Sequence, residues 1–122
     1  MNEPAPKRNA DIVVIDPHGK TWQCRLCGES GWLLKMEDGG PTCMACADLA
    51  HLVFLPAGDT PLTRRARQHS GLSAVVLKFS RARRRYERQG VLVEEDSLVR
   101  AEAECLADAA ARTAQRARAE ER

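Results

Sequence analysis

"CRLCGESGWLLKMEDGGPTCMAC", residues 24–46, holds four of the chain's five cysteines as two Cys-x-x-Cys pairs. A two-residue gap lets both sulfurs of a pair reach one ion. The fifteen residues between the pairs are enough for a hairpin that brings the second pair back to the first. Cys24, Cys27, Cys43 and Cys46 would then complete a tetrahedron of thiolates around Zn²⁺, with bonds of about 2.3 Å. The intervening residues suit this. "CRLCGES" is a turn in which Gly28 can take positive φ, "GWLLKM" is strand-like and "EDGGP" is a tight turn. "ADLAHLVFL" after Cys46 reads as a short helix. Knuckle, hairpin and helix together make a treble clef, and a two-knuckle ribbon is the close alternative.

The other readings of this stretch are weaker. A redox motif needs one Cys-x-x-Cys opening a helix in a βαβ setting, and this chain has two pairs and no such pattern. An iron–sulfur cluster competes with zinc for the same four thiolates. His51 follows Cys46 by five residues, but four sulfurs already close the shell, so it reads as a bystander. Cys105 stands alone among alanines and reads as a small buried hydrophobe. A shell of four sulfurs leaves no open position for water or substrate, which makes the site structural. With no nucleophile–base set, phosphate-cradling loop or paired carboxylates, no enzymatic role is expected.

The chain has 122 residues, of which 30% are charged and only 4% aromatic. A small module with so little bulk commonly needs a metal or disulfide staple. The N-terminus lacks the apolar core and cleavage site of a secretory signal, and no stretch approaches the roughly 20 apolar residues that span a bilayer. These features predict the cytoplasm, where thiols stay reduced. An odd cysteine count also argues against a closed disulfide set.

The net charge of +2 conceals an asymmetry. Residues 64–93 carry nine basic side chains and one acidic, while residues 1–63 and 94–122 each carry five basic and eight acidic. Residues 1–11 read as a flexible lead-in, and "DIVVID" as a strand turned by "PHGK". Residues 12–58 form the expected zinc module. Residues 59–93 are expected to be a basic helical region, with Thr60 capping a first helix and Pro61 in its first turn. In "LSAVVLKFSRARRRYERQ", Leu72, Val75, Val76, Phe79 and Tyr86 recur at helical spacing and predict a second helix over 72–89, stopped by Gly90. Arg81, Arg84, Arg85 and Arg88 repeat that spacing on another face. Residues 94–122 predict a last helix, capped by Asp96 or Ser97 and fraying beyond Ala114. The expected fold is small and α+β: a zinc module followed by helices.

The basic block supports two functions. Between Arg64 and Arg88 only Glu87 is acidic, so Arg64, Arg65, Arg67, Lys78, Arg81, Arg84, Arg85 and Arg88 are expected to meet the phosphates of RNA or DNA. Phe79 and Tyr86 fall on the apolar stripe and read as core, so base stacking is not indicated and backbone contact is the expected mode. The rival reading pairs the arginines with Glu94, Glu95, Asp96, Glu102, Glu104 and Asp108 of the last helix. That helix would then serve as a protein-interaction or oligomerising element.

The stretches "HLVFLPAGD", "LTRRAR", "SAVVLKFSRARRRYERQG" and "AECLADA" resemble the N-terminal part of an actinobacterial family catalogued as a domain of unknown function (number 2293). The resemblance covers residues 20 to 115. It implies the zinc pairs and a bacterial cytosolic setting, and it carries no activity and no catalytic residues.

Overall fold

A computed structural model describes residues 12–121; the expected flexible lead-in of residues 1–11 lies outside them. The elements are β1 (Ile12–Asp16), β2 (Leu34–Glu37), β3 (Gly40–Cys43), β4 (Val53–Pro56), α1 (Thr60–His69), β5 (Ala74–Ser80), β6 (Arg85–Val93) and α2 (Glu95–Glu120). All six strands join one sheet in the order β3-β2-β1-β5-β6-β4. β1 runs parallel to β5, with Ile12 opposite Ala74 and Asp16 opposite Lys78, and the other pairs are antiparallel. The fold is thus α+β, and the cysteine hairpin and the hairpin that carries Lys78 and Arg88 share one sheet.

Each face of the sheet has its own apolar cluster. On one, Val14, Ala74, Val76 and Leu92 pack with Leu33, Leu49 and Leu52 from the cysteine-bearing loops. On the other, Leu55, Val91 and Val93 pack with Ala66 of α1 and Ala101 of α2. The Asp59 carboxylate accepts the Leu62 N–H at 3.1 Å, so Asp59 rather than Thr60 caps α1. Glu94 precedes α2, two or three residues before the expected caps. The two helices are tied where they meet: the Ser70 hydroxyl accepts the Glu94 N–H at 3.0 Å, and the Glu94 carboxylate accepts the Gly71 N–H at 3.1 Å.

Three sequence expectations are corrected. Residues 72–89 are not a helix: β5, a four-residue turn over residues 81–84 and β6 make a hairpin. The region 59–93 is therefore one helix and one hairpin. Gly90 lies inside β6 instead of ending a helix, where it lets two strands close. A Cβ there would stand 2.9 Å from Phe54 Cε1 and nearer still to the Leu55 carbonyl oxygen. Residues 44–51 form turns leading into β4, so the helix that would complete a treble clef is absent among the described residues. The two knuckles sit at the ends of a hairpin instead. α2 stays helical through Glu120, past the point where its apolar pattern ends, and every residue from 109 to 121 is exposed.

Candidate metal centre and basic hairpin

The hairpin β2–β3 does what the cysteine spacing requires. Glu37 and Gly40 pair at its turn, Leu34 pairs with Cys43 at its base, and Cys43 begins the second knuckle. The first knuckle is pinned beside it by the Arg25 N–H, which donates to the Pro41 carbonyl at 2.8 Å. Gly28 takes a φ of 79° there, and its N–H donates to the Cys24 carbonyl at 2.9 Å. In the second knuckle Asp48 takes the positive φ, at 61°.

The four Sγ atoms of Cys24, Cys27, Cys43 and Cys46 all lie within 4.8 Å of one another, and Cys27 and Cys43 are 3.7 Å apart. Tetrahedral bonds of about 2.3 Å place neighbouring sulfurs about 3.8 Å apart, so the set fits a zinc ion. His51 is exposed and outside the set.

Backbone hydrogen bonding, first with Cys43 and then with Cys27 and Leu26, holds the Cys24 thiol down to about 6 against the raising effect of burial. Hydrogen bonding with Cys43, Cys27 and Cys24 pushes Cys46 up to about 12. Four thiolates this close repel one another, and a dication is the counter-charge that lets all four exist.

A charged brace missed in the sequence supports the knuckle. Arg25 Nη2 meets Glu37 Oε1 at 2.7 Å, Lys35 Nζ meets Glu37 Oε2 at 2.8 Å, and the buried Thr42 hydroxyl donates to Glu37 at 3.2 Å. Those contacts, Lys35 first and Arg25 second, hold the Glu37 carboxyl down to about 2. Its constituents are ordinary strand and turn residues, and only the strand register reveals them.

The basic residues divide by position. Arg65 faces α2, where Nη2 pairs with Asp108 and Nη1 lies 3.8 Å from Cys105 Sγ. His69, which no spacing partnered, meets Glu104 at 3.0 Å. Charge pairing between α1 and α2 is thus real for Arg65 and Asp108, and His69 adds a hydrogen-bond contact with Glu104. It does not extend to the hairpin. Arg83 and Arg85 share Glu87 at 2.9 and 3.7 Å. Arg64, Arg81, Arg84 and Arg88 are exposed and make no ion pair among the described residues. Lys78 is half-buried on the strand opposite Glu87.

Arg64, Arg67 and Arg88 line one open cleft of about 850 Å³, together with Thr60, Thr63 and Ser73. Arg81 and Arg84 stand in the hairpin turn, where Arg84 has a φ of 56°. Phe79 and Tyr86, read from the sequence as core, are 42% and 51% exposed.

No helix among the described residues is long and apolar enough to cross a membrane. No family model, curated protein or solved structure matches the chain.

Proposed function

We propose that the chain is a non-enzymatic zinc protein of the reducing cytoplasm that grips nucleic-acid backbone through the β5–β6 hairpin and the facing edge of α1. One observation carries this. Arg64, Arg81, Arg84 and Arg88 are exposed without ion-pair partners among the described residues, while Arg65, which faces α2, is paired with Asp108. A protein using arginine only for solubility has no need to separate the two groups this way. Guanidinium forks left open on α1, the hairpin turn and β6 suit phosphate oxygens. Zinc on Cys24, Cys27, Cys43 and Cys46 holds the neighbouring end of the same sheet and takes no part in contact. The family resemblance adds a bacterial, zinc-bearing setting and no activity.

The rival reading, a protein-docking α2, draws on Val99 and Leu106, 57% and 72% exposed, and on the uncovered second half of that helix. Fluorescence anisotropy of zinc-loaded protein against RNA and DNA, at several salt concentrations, separates the two. Four phosphate contacts on duplex DNA give a log K against log salt slope of about −3 to −4. Arg84→Ala with Arg88→Ala should cut that slope by about half, and removal of residues 109–122 should leave it unchanged. No binding at low salt sinks the proposal.

A further inference from the structure

The hairpin carries an aromatic pair that the core does not use. Phe79 and Tyr86 lie directly opposite each other, with ring centroids 5.2 Å apart and planes at 71°. An edge-to-face pair leaves both faces of one ring uncovered by the other. The pair belongs to neither apolar cluster, and exposed aromatic surface of this kind marks a place where something binds.

Its neighbours are cationic on both sides. Toward the body of the sheet, beyond Lys78 opposite Glu87, the next pair on the same face is Leu77 opposite Arg88. Residues two apart on a strand share a face, so Arg88 stands beside Tyr86 on the same side as Phe79. Arg88 also lines the cleft with Arg64. At the other end of the pair lie Arg81 and Arg84 of the turn. Arg84 occupies the left-handed region at φ 56°, where glycine or asparagine is the easy choice. The turn therefore keeps a guanidinium at a backbone cost.

We infer that Phe79 and Tyr86 form a base-stacking platform for single-stranded nucleic acid, with its phosphates running from Arg81 and Arg84 to Arg88 and Arg64. This rests on the backbone-binding reading above and names its substrate class. A duplex hides its base faces inside the stack, so exposed rings gain nothing from it. A single strand offers a π-face on every nucleotide, whatever its sequence. Ribose and deoxyribose strands share this chemistry.

The test compares binding of the unaltered zinc-loaded protein to oligouridylate, oligothymidylate, an abasic deoxyribose-phosphate strand and a DNA duplex, each of about 12 nucleotides or base pairs. Stacking predicts that each base-bearing strand binds roughly 5- to 150-fold more tightly than the abasic one per base stacked. Phe79→Ala and Tyr86→Leu should erase that margin while leaving abasic binding unchanged. The strand comparison needs no variant, so it stands even if the altered hairpins lose their shape. Equal affinity for abasic and base-bearing strands, or a preference for duplex, overturns the platform and leaves backbone binding intact. No salt-dependent binding to any probe overturns both readings. A margin confined to the uridylate or the thymidylate strand overturns a platform that accepts any base.

Discussion

Arg65 of α1 and Asp108 of α2 form an ion pair across the helix interface, with Cys105 beside them. The pairing holds Asp108 below the usual carboxylate range and Arg65 above its own. Arg65 is therefore a fastener, although its sequence neighbourhood is indistinguishable from that of Arg64. Arg65→Ala should lower the thermal midpoint and leave the salt slope of nucleic-acid binding untouched. Arg88→Ala should keep the midpoint and reduce the slope by about 0.7 on single strands. A slope reduced by Arg65→Ala would mean that this residue also reaches phosphate.

Arg84 should show opposite effects on stability and binding. Its φ of 56° costs an L-residue about 1 kcal/mol or more relative to glycine. Arg84→Gly should therefore raise unfolding free energy by about 1 kcal/mol, measured in urea, while weakening oligonucleotide binding. A variant both more stable and equally tight would show that the guanidinium plays no part.

Removing the metal should act locally first. Chelation leaves four crowded sulfurs without a counter-charge, and they hold the knuckles on β2–β3. Hydrogen exchange should quicken across residues 22–52, while α1, α2, β4 and β6 keep protection through their own cluster. Cys24→Ser should lose zinc by orders of magnitude in affinity, since structural sites bind with roughly 10–16 kcal/mol. Unchanged exchange after chelation would contradict a structural role for the site.

Glu37 predicts a pH dependence. Its carboxyl is held at about 2, chiefly by Lys35 and then Arg25, against an ordinary value of about 4.3. A depressed folded value means that the contribution is complete above the unfolded value and is lost as pH falls toward the folded one. The stability gap between the protein and Glu37→Gln should stay constant from pH 7 to about 5 and close below about 4.3. A gap that stays constant through that lower range would show that the brace carries no charge-dependent stability.

Much of the site was legible because its chemistry is local. Two Cys-x-x-Cys pairs with room for a hairpin can clamp an ion almost regardless of the rest of the chain, and the four sulfurs do converge. β1, α1 and α2 announced themselves by a β-branched run, by Thr60 and Pro61 at the start of a polar helix, and by alanine, although the cap itself is Asp59. The charge block at 64–93 was also plain from the sequence. Residues 72–89 were not, because β5 lies in the middle of the sheet. β1 and β6 flank it and clusters cover both faces, so Ala74, Val75 and Val76 are all buried and the alternation of a strand is erased. A register shift between Val76 and Leu77 leaves Gln89 unpaired and changes the parity of β6, and the turn has no glycine, proline or asparagine. The remaining pattern imitates an amphipathic helix rich in arginine, a good helix former. Only the tertiary pairing of β1 with β5 turned that segment into strands. The same packing set Arg65 against α2, left Arg81, Arg84 and Arg88 facing outward, and exposed Phe79 and Tyr86, because long-range burial outweighs a local propensity worth tenths of a kcal/mol per residue.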